Sequence, residues 1–228
     1  MDIRDSYSFI KNQAAEAALR CGREPESVRI IAVSKTFSYE AVQNAIDAGI
    51  FLFGENRVQE TKSKIPNLKG NFAFHMIGHL QSNKARDAVG LFDLIHSIDS
   101  QNTAERVNAE AEKIDKIQKI LIQVNALGEI TKNGAKPDDA IRLAEKCLTM
   151  KNIELLGFMN IAPLSDDAAL IRSSFVRTRE ILDKTNNLLK TSMKELSMGM
   201  SGDFEAAIEE GATMVRVGSL IFGGRNYT

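Results

Sequence analysis

Lys35 stands two residues beyond an apolar run, in Ala32-Val33-Ser34-Lys35-Thr36. An amine at the mouth of a fold, partly stripped of water, loses its proton more readily and can attack a carbonyl carbon to form a Schiff base. The alternative is a solvated surface lysine. A second group lies near the other end of the chain. Ser197-Met198-Gly199-Met200-Ser201-Gly202-Asp203 and Val217-Gly218-Ser219 each leave an apolar run and enter a helical stretch. Ser201 could cap the helix it precedes. Small residues there expose backbone N–H groups, and two such loops side by side make a phosphate cradle. Either loop alone reads equally well as ordinary turn chemistry. Arg216 lies between Val215 and Val217 and therefore faces away from them. If it faces an interior it needs an acceptor: a ligand nitrogen, or a carboxylate such as Glu55 or Asp203.

Other polar residues are weaker signals. Asn56 follows Phe53-Gly54-Glu55, at the level of Lys35. His75 and His79 are four apart, but Gly78 interrupts any helix that would align them on a metal, so no metal site is expected. Gln123 and Asn125 end another apolar run and could line a mouth or bond neighbouring loops. Cys21 and Cys147 are far apart and read as reduced thiols. No Gly-x-Ser-x-Gly elbow and no P-loop occurs.

These residues need a scaffold, and the chain has the length for one. It has 228 residues, 43% hydrophobic and 26% charged, which suits a soluble globular protein. Its 29 basic and 30 acidic residues give a net charge of −1, which argues against a nucleic-acid partner. No run approaches the ~20 apolar residues of a membrane span, and the N-terminus lacks the apolar core of a signal peptide. We expect a cytoplasmic protein with no membrane partner.

A helix is expected first, with Ile10, Ala14, Ala15, Ala18 and Leu19 on one face and Gly22 at its end. Short apolar runs then alternate with helical stretches. Strands are predicted at 28–33, 51–53, 72–77, 94–98, 120–124, 153–159, 196–198 and 214–217. Helices are predicted at 57–64, 82–89, 103–114, 138–148, 170–189 and 204–210, with another capped by Ser38 and a short last one opening near Leu220. Strict alternation implies parallel strands joined by crossover helices. Eight such units in under 230 residues, without a Pro- or Ser-rich linker, fit a single (β/α)8 TIM barrel spanning 1–228 with an extra N-terminal helix. A doubly wound open sheet is the alternative, weakened by the absence of GxGxxG after the first strand. In a barrel, sites gather at the C-terminal ends of the strands, with phosphate often held after the seventh and eighth. Lys35 and the two small-residue loops fall at those places.

Six segments together closely resemble the pyridoxal phosphate homeostasis protein family, known in bacteria as YggS and in animals as proline synthetase co-transcribed homolog. They are Val33-Ser34-Lys35-Thr36, Phe53-Gly54-Glu55-Asn56, the run from His75 to Lys84, Gln123-Val124-Asn125, Ser197 to Asp203, and Arg216-Val217-Gly218, with motifs in register from Ile30 to Tyr227. The family resembles the N-terminal barrel domain of alanine racemase. The resemblance implies pyridoxal 5′-phosphate (PLP) held as an aldimine on Lys35. It implies the phosphate on Ser201, Gly218 and Ser219, Arg216 near the pyridine nitrogen, and Asn56 beside the ring. It implies a role in PLP buffering and delivery, with PLP-dependent apoenzymes as recipients; we expect a monomer. One departure is visible: the family often has Pro shortly after Ser-Lys-Thr, where Phe37-Ser38 stands here. The alternatives are a PLP-dependent amino-acid racemase and a phosphosugar enzyme with a Schiff-base lysine. A racemase needs a second base besides Lys35; Tyr227 is near the end of the chain, but no sequence feature places it at the ring.

Overall fold

The computed structural model describes residues 2–129 and 133–223. Tyr227 lies outside the described residues. The strands are β1 (Arg29–Val33), β2 (Leu52–Glu55), β3 (Ala73–Met76), β4 (Leu94–Ile98), β5 (Gln118–Val124), β6 (Ile153–Asn160), β7 (Glu195–Met200) and β8 (Met214–Val217). They pair in chain order and all in parallel. β8 returns to β1, with Arg29 opposite Met214 and Ala32 opposite Val217, so the sheet is a closed barrel. That pairing excludes the open doubly wound sheet.

The helices are α1 (Ile3–Arg20), α2 (Tyr39–Asp47), α3 (Val58–Lys64), α4 (Ala85–Leu91), α5 (Gln101–Glu112), α6 (Pro137–Cys147), α7 (Ala168–Leu189), α8 (Phe204–Glu209) and α9 (Ser219–Phe222). α1 precedes the first strand and packs across α8 and α9. Its buried face is Ser6, Ile10, Ala14, Ala17 and Ala18. Leu19, expected on that face, is exposed, because the stripe follows the 3.6-residue period through Ala17 instead. β2 likewise starts one residue later than predicted and runs on to Glu55. Phe51 is left exposed and a carboxylate is brought into the barrel wall.

Two apolar layers hold the fold. Phe53, Phe74, Phe158 and Phe175 are fully buried in the shell between strands and helices. Truncating any one to Ala would cost about 3–5 kcal/mol. Inside the barrel, Ile31, Leu52, Leu94, Leu121, Met159 and Met214 pack as a separate cluster. This interior is not wholly apolar. His75, His96, Ser197 and Arg216 are buried as well.

The β7–β8 pairing slips in register between Ser197 and Met200. Gly199 sits in that slip at φ +88°, and a Cβ there would stand 2.5 Å from the Ala207 Cβ of α8. Both the backbone conformation and the close approach demand glycine. The slip brings the chain out of β7 toward the mouth at Ser201.

Candidate functional site

A cavity of about 490 Å3 opens at the C-terminal ends of β1, β7 and β8, lined by Lys35, Ser201, Gly202, Arg216, Gly218 and Ser219. Five of the six residues expected to hold the cofactor therefore meet in one place. Val33, Ile77 and Met200 supply its apolar walls. The size lies within the ~300–1,000 Å3 of small-molecule pockets.

Lys35 is half-buried and sits on a sharp turn. Thr36 adopts φ +70°, a left-handed conformation that a β-branched residue rarely takes and that costs about 1–3 kcal/mol. A polar brace holds the turn. The Thr36 N–H donates to Glu60 Oε1 at 2.6 Å. Lys64, 5% exposed, gives its ammonium to Glu55 Oε1 at 2.7 Å, Glu60 Oε1 at 2.6 Å and the Ser34 carbonyl at 2.9 Å. The Ser34 hydroxyl donates to the same Glu55 oxygen at 2.8 Å. Burial pushes the Glu55 carboxyl above the usual carboxylate range, against the pull of Lys64. Its second oxygen, Oε2, is buried and finds no hydrogen-bond partner among the described residues.

Arg216 is buried on the interior face of β8. Neither Glu55 nor Asp203 is its hydrogen-bond acceptor. Nη1 donates to Ser197 Oγ at 2.7 Å and Nη2 to the Asn160 carbonyl at 2.8 Å. Burial lowers its pKa to about 10, with the charge of Asp203 opposing, so it stays cationic at neutral pH.

The cradle is built from N–H and O–H groups. Ser201 Oγ accepts from the Gly218 N–H at 3.4 Å, tying the loop after β7 to the loop after β8. Ser201 does not cap α8, contrary to the sequence reading. Asp203 takes the cap position, and its carboxylate accepts the Met200 N–H at 2.5 Å. The turn thus closes on Asp203 and leaves the Ser201 hydroxyl facing the β8 loop. A Cβ on Gly218 would stand 3.2 Å from both Val33 Cβ and the Val33 carbonyl, so the β8 loop lies tight against β1.

Asn56 is not in this group. It lines a neighbouring cavity of about 420 Å3 with Arg57, Gly78, His79, Gln81 and Lys84. Gln123 and Asn125 bond the loop after β5: Gln123 donates to the Asn133 carbonyl at 3.1 Å, and Asn125 to the Glu129 carbonyl at 2.6 Å. His75 and His79 part company. His75 meets His96 in the barrel interior, while His79 is exposed, 3.3 Å from Asp99. Among the described residues no cluster of three or more His, Cys, Asp or Glu could hold a metal ion. Where the family often has Pro, Phe37 stacks on Phe222 of α9 with centroids 4.8 Å apart, and Ser38 caps α2 through the Ala41 N–H. An aromatic contact braces that loop in place of a fixed ring.

Sequence reasoning missed Lys64, Glu60, His96 and Asn160. Lys64 ends an amphipathic-looking helix, where a lysine ordinarily reaches solvent. His96 sits inside an apolar run and its facing partners lie across the barrel. The one available cue was Glu55, an acid at the end of an apolar run.

The chain matches the family described as alanine racemase, N-terminal domain, over residues 10–226. It is 38% identical over 228 residues to the pyridoxal phosphate homeostasis protein of Aquifex aeolicus, covering all of both chains. Among solved structures it is similar to PipY of Synechococcus elongatus PCC7942 with PLP bound, at TM-score 0.82 and 37% identity, covering 94% of this chain and all of that one. It also shares its fold with an alanine racemase of Clostridium difficile 630, at TM-score 0.76 but 15% identity, covering all of this chain and 57% of that one. That last likeness concerns fold alone. A closed eight-stranded barrel, the family match and full-length relatives agree: the chain belongs to the alanine racemase N-terminal domain family and, within it, to the pyridoxal phosphate homeostasis proteins.

Proposed function

We propose that this chain is a single domain that binds PLP in the Lys35 cavity and serves PLP homeostasis. One observation carries the reading: an amine, a buried guanidinium and a hydroxyl-and-amide cradle line the same cavity. When bound, PLP supplies an aldehyde carbon open to amines and an electron-withdrawing pyridine ring. The donor set fits that group. Lys35 would hold PLP through its amine, at the aldehyde carbon. Ser201 and the Gly218-Ser219 loop would hold the phosphate. Arg216 can only donate, so it would suit an unprotonated ring nitrogen. Asn56, which lines the neighbouring cavity, would reach the ring only from beyond this cavity's wall.

The relatives named above carry PLP homeostasis in their name, and PipY has been solved with PLP, which supports the same cofactor here. We propose that the protein hands PLP to apoenzymes as a cytoplasmic monomer. No described helix is long and apolar enough to cross a membrane. The test is to titrate cofactor-free protein with PLP, follow the visible absorption, then add borohydride. A yellow band that borohydride bleaches is the expected result. A colourless protein that binds phosphosugars instead would overturn the reading.

A further inference from the structure

Four buried side chains form one line of hydrogen bonds across the barrel interior. Arg216 Nη1 lies 2.7 Å from Ser197 Oγ, Ser197 Oγ 2.9 Å from His96 Nδ1, and His96 Nε2 3.0 Å from His75 Nδ1. The residues come from β8, β7, β4 and β3, and the Ser197–His96 bond crosses the interior between β7 and β4, which do not pair. Ser197 and His96 are fully buried, and His75 and Arg216 are nearly so.

Arginine fixes the direction of the line. A guanidinium has only donors, so Ser197 Oγ must accept from it. The hydroxyl proton then needs an acceptor, and among the described residues the one other group bonded to Ser197 Oγ is His96 Nδ1. Leaving that buried proton unpaired would be costly, so His96 Nδ1 is unprotonated. His96 therefore carries its proton on Nε2 and donates to His75 Nδ1. His75 in turn carries its own on Nε2. Both imidazoles are neutral, as burial and the nearby cations require: His75 is pushed down to about 3 and His96 well below its ordinary value.

The line also restrains Arg216. Its bonds to Ser197 and to the Asn160 carbonyl use two of five N–H donors on one side. Asn160 is itself held by its amide donating to the Ser174 carbonyl at 3.1 Å. Arg216 also lines the Lys35 cavity, and its three other N–H donors make no hydrogen bond among the described residues.

We infer that Ser197 and His96 are positioning residues: backed by His75, they hold the Arg216 guanidinium in one orientation toward the cofactor ring. This rests on the reading of Arg216 as the group facing the pyridine nitrogen. Ser197→Ala removes the acceptor next to Arg216, and His96→Leu removes the acceptor for Ser197.

The test is a double-mutant cycle on PLP affinity and on the absorption maximum of bound PLP. Each of Ser197→Ala and His96→Leu should weaken PLP about tenfold, which is about 1.4 kcal/mol, and shift the maximum. In an Arg216→Ala background neither should add a further effect, because both act through Arg216. Effects that simply add to that of Arg216→Ala would overturn the inference and leave a structural role. Ser197→Thr, which keeps a hydroxyl, should restore affinity and spectrum. If Arg216→Ala itself changes neither affinity nor spectrum, the reading of Arg216 fails first, and the inference with it. A second measurement needs no cofactor. Histidine 15N spectra of the free protein should show both Nδ1 atoms unprotonated, and a protonated Nδ1 on His96 would contradict the assigned direction.

Discussion

On the β1–β2 side of the mouth, the Lys64 ammonium sits among three oxygens and a strained Thr36 is locked to Glu60. On the β7–β8 side, the two cradle loops are linked, among the described residues, by a single 3.4 Å hydrogen bond from Gly218 to Ser201. The braced side carries the lysine assigned to a covalent bond, whose attacking nitrogen must be held in a narrow geometry. The lightly tied side carries the groups assigned to a phosphate, which accepts hydrogen bonds from many directions. The same contrast separates two lysines. Lys64 is buried and saturated with acceptors, a structural cation. Lys35 is half-buried and lines the cavity.

Breaking the brace should have the largest effect. Lys64→Met leaves Glu55 buried without its cation and should cost about 3–5 kcal/mol of stability. Urea denaturation would read this as a lower midpoint at unchanged slope. A change below ~1 kcal/mol would mean that the brace is no more than a surface ion pair.

Acid should attack the barrel interior next. His75 and His96 are neutral in the fold, with folded pKa values far below the unfolded 6.5. As pH falls below 6.5 the unfolded chain takes up protons that the folded one refuses, so stability falls. From pH 6.5 to 5 this is about 1.6 kcal/mol for His75, and His96 adds a loss in the same direction. His75→Leu should lose about half of that acid sensitivity; an unchanged profile would show that His75 is protonated in the fold.

On the cradle side, Ser201→Ala removes one charge-assisted hydrogen bond. PLP affinity should fall by about 10- to 150-fold, equivalent to about 1.5–3 kcal/mol, while pyridoxal binding stays nearly unchanged. Equal losses for both ligands would remove the phosphate from the cradle. The smallest effect on folding belongs to Lys35→Ala, which should shift stability by no more than about 0.5 kcal/mol, because a half-exposed mouth residue supplies little packing.

The legible parts of this molecule were those that a period reveals. Apolar runs such as Ile120 to Val124 can only be buried strands, and Ser38 and Pro137 mark helix starts by local chemistry. Lys35, Ser201, Gly218 and Ser219 could be placed because barrel sites gather at strand ends. The acceptors of Arg216 could not. Ser197 reaches it from the paired strand β7, across a register slip, and Asn160 from β6 one strand further on. Asn56 shows the same limit. Its position after β2 is readable, but the tight approach of Gly78 to the Asn56 backbone, where a Cβ would lie 2.4 Å from the Asn56 carbonyl, builds a separate cavity around it.

The central claim is that Lys35, not Lys64 or another lysine, carries the cofactor. The most direct measurement is peptide mapping by mass spectrometry after borohydride reduction of the PLP-loaded protein. One phosphopyridoxyl adduct is expected, on Lys35, and its loss in Lys35→Ala while phosphate-anchored PLP still binds. An adduct of equal yield on a different lysine in the wild-type protein would contradict it.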